Sequence, residues 1–217
     1  LTVHSHDTVH TRHFQRAMEA RSGRNLDGFF EQWIHSPGHP VLSVDLSHKN
    51  ELLMVNVKQT QSGEGVPEAY RFNLHLEVVL ESGETTPFVL PVESRSRTFA
   101  LSVSEAIRTV RVDPGFRVLA KISVRANAAW LEHLLGDACP VVADRAACAL
   151  LKMDGLKPFL AVAASLKTHS SCRVRASVAT QLGRRGGQEA KKTLLAALID
   201  EPDPKVKLAI VGGLASF

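Results

Sequence analysis

A repeat of 32 residues governs the last third of this chain. Val142, Val174 and Val206 stand one period apart, and eight residues after each comes a leucine: Leu150, Leu182 and Leu214. Between them Ala146, Val178 and Ile210 coincide, as do Ala147, Ala179 and Val211. Steps of four within a unit place these side chains on one face of a helix. A second set, Val162, Ala163 and Leu166, returns as Leu194, Leu195 and Leu198, so each unit holds two helices. A helix pair of this size cannot bury its apolar face alone and must stack on its neighbours. Phe217 falls inside the first helix of a third unit, so the array is expected to be truncated and to lack a polar cap.

The middle of the chain carries the opposite period. Tyr70, Phe72, Leu74, Leu76, Val78 and Leu80 alternate with Arg71, Asn73, His75, Glu77 and Val79, which turns one face of a strand into a core. Shorter runs of the same kind are Val41 to Leu46, Leu53 to Gln61, Phe88 to Val92, Phe99 to Val103 and Val110 to Val112. Glu81-Ser82-Gly83-Glu84 and Asp113-Pro114-Gly115 read as turns, and Gly63-Glu64-Gly65 as a hairpin loop. Six or seven short strands without helix-length patterns between them predict an antiparallel β-sandwich.

The leading segment is helical. Thr11 is placed to cap a helix that runs to about Arg21, with Gly23 as its stop and Phe14, Ala17 and Met18 as an apolar stripe. Asn25 is placed to cap a second helix, in which Leu26, Phe29, Phe30, Trp33 and Ile34 form one stripe that needs a partner surface. Ser36-Pro37-Gly38-His39-Pro40 then makes a rigid exit from helix into strand. The chain opens on Leu1 with no basic-then-apolar leader, and is expected to be a piece of a longer protein.

Composition narrows the functional classes. Apolar residues at 44% and charged residues at 22%, with no long apolar run, exclude disorder, collagen and membrane insertion. The excess of 26 bases over 22 acids is mild, and nucleic acid is not expected as a partner. Arg173, Arg175, Arg184, Arg185, Lys191, Lys192, Lys205 and Lys207 read as solvated helix faces offset by Glu189, Asp200, Glu201 and Asp203. Cys139, Cys148 and Cys172 form no C-x-x-C and no even set, which points to a reducing, cytoplasmic setting. Cys148 shares its repeat position with Thr180 and Gly212 and reads as a small packed residue.

The one candidate for metal chemistry is weak on its own terms. His6 and His10 bracket Asp7, with His4 and His13 nearby. An H-E-x-x-H zinc site needs a glutamate and a helix, and residues 4 to 10 offer an aspartate and no apolar stripe. No metal ligand is assigned here. Gly183-Arg184-Arg185-Gly186-Gly187 follows no strand and reads as a cap between helices, not as a phosphate cradle.

The run from Ser22 to Ile34, with Ser22-Gly23, Leu26, Phe29-Phe30 and Gln32-Trp33, closes in Pro37-Gly38-His39-Pro40. It resembles the S-G-x-x-L-x-x-F-F-x-Q-W helix pair and P-G-x-P turn that end the catalytic domain of aminopeptidase N-like zinc metallopeptidases. Val57, Gln59 and Gln61 match that family's V-x-Q-x-Q strand, and Val112-Asp113-Pro114 its V-D-P strand end, in the same order. The resemblance covers about residues 8 to 124 and is weaker in the HEAT-like repeats. His13 and Gly28 depart from the family pattern.

The resemblance implies an α+β multidomain chain: the end of a catalytic helical domain (1–40), a β-sandwich (41–124) and a truncated HEAT-like helical solenoid (125–217). It implies a parent that removes N-terminal residues from peptides with a zinc-activated water. The family's zinc motif, amine-binding G-x-M-E-N and catalytic tyrosine belong upstream of Thr11, and the position 19 residues past His10 is Phe29, not a glutamate. The chain itself is therefore expected to hold no cofactor and no catalytic residue, and to be inactive alone. Phe29, Phe30, Trp33, Pro37 and Pro40 are the expected interdomain docking residues, facing the upstream catalytic domain, with the repeats limiting substrate access. The alternative is a zinc-less scaffold that binds proteins through its repeats.

Overall fold

The computed structural model describes residues 8–217 and shows an α+β chain with eight α-helices and two sheets among them. Helix α1 (Thr11–Ser22) starts one residue earlier than expected. His10 takes the cap position, and its backbone N–H donates to Nδ1 of His13 at 3.3 Å, so Thr11 is already helical. Gly23 ends the helix as expected, at φ 67°, a conformation that costs glycine little. No side chain of α1 is buried, and Phe14 stays 58% exposed although its ring meets that of Phe30 edge-on.

The second helix departs from its expected stripe. Helix α2 (Asp27–Phe30) lasts four residues and passes into a π-helical turn, Glu31–His35, closed by Ser36 N–H to Glu31 O at 2.9 Å. The cap position is Leu26, and Asn25 assists from one residue upstream by accepting from Asp27 N–H at 2.9 Å. Widening the turn rotates the later side chains away from a 3.6-residue row. Phe30 is buried and Trp33 half-buried, whereas Phe29 and Ile34 point to solvent.

Seven strands follow: β1 (Val41–Lys49), β2 (Leu52–Gln59), β3 (Phe72–Leu80), β4 (Thr85–Val92), β5 (Ser96–Ser102), β6 (Ile107–Val112) and β7 (Lys121–Arg125). One sheet has the order β5-β2-β1-β7 and the other β4-β3-β6. Alternate residues of each strand, such as Val44, Val55, Leu74, Leu76, Val78 and Val110, meet in one apolar cluster shared by both sheets. Each aliphatic side chain fully buried there contributes about 1.5–3 kcal/mol. Gly83 closes the β3–β4 hairpin as expected, donating to Leu80 O at 3.0 Å.

Two expectations for the strands are corrected. The first sheet is mixed, because β7 runs parallel to β1, pairing Val41 with Lys121 through Asp45 with Arg125. The segment after Asp113 carries the chain from the second sheet back to the start of β1, where Lys121 N–H donates to Pro40 O at 3.0 Å. A strand entering from that end can only be parallel. The loop holding Gly63 and Gly65 likewise joins strands of different sheets, β2 and β3, and is no hairpin. Asp113 makes the return possible: it sits at φ 43° with its buried carboxylate accepting from Arg117 N–H at 2.9 Å and Val118 N–H at 3.4 Å.

Six helices complete the chain: α3 (Ala128–Leu134), α4 (Pro140–Leu150), α5 (Leu156–Thr168), α6 (Cys172–Arg185), α7 (Gln188–Asp200) and α8 (Pro204–Leu214). Helix α4 packs on α6 and α6 on α8, one repeat apart. Val142, Val174 and Val206 are buried alike, as are Ala146, Val178 and Ile210. Ala147 and Ala179 are covered, but their counterpart Val211 is 51% exposed, since no described helix lies against it. The turns repeat as well: Asp137, His169 and Glu201 each accept from the backbone N–H two residues on, at 2.8, 3.0 and 3.0 Å.

Helices and sheets are joined by Trp130, which lies in the sheet cluster and donates its indole N–H to Ile107 O at 2.9 Å. Thr109 donates back to Trp130 O at 2.9 Å. Beside them Arg111 grips Asp137 through two hydrogen bonds, 2.7 and 3.0 Å, and also pairs with Glu77. Among the described residues no helix is long and apolar enough to cross a membrane.

Candidate docking surface at the helix–sheet junction

The expected docking residues lie where the π-helical turn meets the start of β3, and a polar lattice holds the two together. Gln32 acts as a detached piece of strand: its Oε1 accepts from Arg71 N–H at 2.7 Å and its Nε2 donates to Arg71 O at 3.0 Å. That double bond sets Trp33 against Tyr70, with ring centroids 5.4 Å apart. Tyr70 is fully buried, and its hydroxyl donates to Pro37 O at 3.0 Å. Burial pushes the Tyr70 phenol above its ordinary range, so it stays a neutral donor.

Beneath Tyr70 lie the two glutamines of the V-x-Q-x-Q strand. Gln59, with no exposed surface, donates to Tyr70 O at 2.9 Å and Ser94 O at 3.1 Å while accepting from Tyr70 N–H at 2.9 Å. Gln61 donates to Gln59 Oε1 at 3.2 Å and accepts from Val41 N–H at 3.2 Å. One side-chain pair thus satisfies backbone groups of three segments that no strand pairing reaches. Gly38 fits at φ 83°, where a Cβ would meet Val66 at 3.1 Å.

The five expected residues divide on this scaffold. Phe30 and Pro40 are buried inside the junction, Pro37 is exposed at its edge, and Trp33 is half-buried against Tyr70. Phe29 and Trp33 open, with Ile34, onto a groove of about 530 Å³ whose other wall is Phe72, Val118 and Leu119. Leu119, 74% exposed, was not singled out by sequence, because nothing in a lone leucine after a turn reveals where the turn delivers it. Tyr70 had a usable signal: it is the only tyrosine in the chain and opens the alternating run.

The remaining candidates carry no chemistry of their own. His4 and His6 lie outside the described residues, and among the described ones no group of three or more His, Cys, Asp or Glu is placed to hold a metal ion. The residues present therefore do not fit a zinc site. Burial raises the Cys148 thiol and makes it a poor nucleophile. Gly186 caps α6 as expected, but Gly183 lies within that helix, where a Cβ would sit 2.4 Å from Gly213 Cα. Among the helix cations, Arg175 is paired with Glu201 and Lys192 with Glu189, and Arg185 lies over the Phe159 ring.

No family model and no curated protein matches the sequence. Among solved structures the chain is similar to aminopeptidase A of Legionella pneumophila, solved in complex with aspartic acid. That likeness covers 94% of this chain at 14% identity, with a TM-score of 0.53. The chain spans only 30% of the length of that protein. At this identity the likeness establishes an aminopeptidase-related fold.

Proposed function

We propose that this chain is the non-catalytic C-terminal part of a zinc-dependent aminopeptidase that removes N-terminal residues from peptides. The observation that carries the reading is the likeness of nearly the whole chain to under a third of an aminopeptidase. In this reading residues 1–40 end the catalytic helical domain, 41–124 form a β-sandwich and 125–217 begin a HEAT-like array. Zinc, its ligands and the residues that act on the peptide belong to the upstream part, in a cytoplasmic protein.

The role of the chain itself is then structural, with the helical array restricting access to the substrate. The leading helices support this, since Phe14, Met18, Phe29 and Ile34 leave apolar side chains in water that an upstream domain would cover. A second reading, a zinc-less scaffold that binds proteins through its repeats, draws on Leu195, Ile199, Leu208 and Val211, all exposed at the end of the array. The two readings part at the gene. An H-E-x-x-H with a downstream glutamate, encoded before Leu1, supports the aminopeptidase; a coding sequence without it turns the assignment to the scaffold.

A further inference from the structure

We propose that the groove beside Trp33 docks a polypeptide segment in which acidic side chains flank an apolar stripe, with Arg71 and Arg117 as the groups that read its charge. The floor of the groove is apolar: Phe29, Trp33, Ile34, Phe72 and Leu119. Phe29, Ile34 and Leu119 are each more than half exposed, and contiguous surface of this kind marks an interaction site. The rim is basic. Arg71 and Arg117 stand on it, and no carboxylate among the described residues lines the groove.

Both arginines have fixed roots and unengaged heads. The Arg71 backbone is held at both its N–H and its carbonyl by the Gln32 amide. The Arg117 backbone N–H is held by the buried Asp113 carboxylate at 2.9 Å. Neither guanidinium bonds to or pairs with another described residue, whereas Arg111, Arg125 and Arg175 all grip carboxylates. An anchored arginine with an open fork beside an apolar floor is preorganised for a carboxylate delivered by a partner. Two cations are too few for a nucleic-acid track, and the concave floor suits a side-chain stripe better than a lipid surface.

The proposal rests on the reading of this junction as a docking surface, and it is tested without reference to peptidase activity. The probes are a dye-labelled amphipathic helix of leucine and glutamate and its leucine–lysine counterpart, titrated into the chain and followed by anisotropy. The expected result is binding of the acidic peptide in preference to the basic one, weakening as salt is added. Arg71→Glu with Arg117→Glu is expected to reduce acidic-peptide affinity about tenfold, the scale of two exposed charge pairs. Arg173→Glu, on α6, is expected to leave it unchanged. If the double variant is not folded by circular dichroism, Arg71→Glu alone serves.

Equal binding of both peptides, absence of binding, or full affinity in the charge-reversed variant overturns the proposal. So does a concentration-dependent dimer that Leu119→Asp dissolves, which would assign the groove to a second copy. None of these results bears on whether the longer protein hydrolyses peptides, so the two proposals fail separately.

Discussion

Gln59 is the residue whose replacement tests the junction most sharply. Gln59→Leu keeps side-chain volume, so no cavity opens and packing in the sheet cluster is preserved. It removes the acceptor for Tyr70 N–H and the donor for Tyr70 O and Ser94 O, all at 2.9–3.1 Å in a site with no exposed surface. An orphaned buried donor costs about 1–3 kcal/mol, and carbonyls left with one fewer partner add to it. The gain from an apolar side chain does not offset this, because the partners are backbone groups that the mutation leaves in place. A loss of about 3 kcal/mol corresponds to a midpoint about 6–12 °C lower for a chain of this size. The assay is thermal unfolding followed by fluorescence of Trp33, which packs on Tyr70. A midpoint within about 2 °C of the parent's would refute the claim that this amide satisfies groups nothing else reaches.

Other changes test other parts. Trp33→Ala is expected to cost about 1–2 kcal/mol, less than a fully buried tryptophan, because the ring is half-exposed; an unchanged urea midpoint would count against its packing on Tyr70. Gly183→Ala places a Cβ against Gly213 backbone that cannot yield, so overpacking of about 1–3 kcal/mol outweighs the better helix propensity of alanine. An unchanged melting temperature would show that α6 and α8 do not touch there. Glu201, 5% exposed, is held below the usual carboxylate range chiefly by its bond to Arg175. A depressed folded pKa means the contribution is present above the unfolded value of about 4.3 and is lost as pH falls through the folded one. Glu201→Gln is therefore expected to be less stable than the parent at pH 7 and to converge on it in acid. A difference that stays constant with pH would refute the pairing.

Where residues of one type recur at a fixed step, the fold was legible. The 32-residue valine and leucine series located the helices, and the alternation from Tyr70 to Leu80 located β3, because burial selects side chains by face. What stayed hidden depends on geometry that residue type does not encode. Asp137, His169 and Glu201 perform one turn function with three different side chains, so no pattern marks them. The π-helical turn preserves the apolar series and changes only its angular spacing, which split Phe29 from Phe30. The parallel pairing of β7 follows from where the Asp113 turn delivers the chain, a long-range outcome that the five residues Lys121–Arg125 do not express. The docking surface was half legible: Phe29 and Trp33 stood out as large apolar residues, but Leu119, Arg71 and Arg117 join them only through folding.

The central claim is that this chain supports a zinc aminopeptidase and does no chemistry itself. Zinc content and hydrolysis of an aminoacyl chromogenic substrate, measured on this chain beside the full-length gene product, test it most directly. The account predicts stoichiometric zinc and turnover in the longer protein, and neither in this chain. Zinc and cleavage in this chain alone would contradict it, and so would a longer protein that holds no zinc and cleaves nothing.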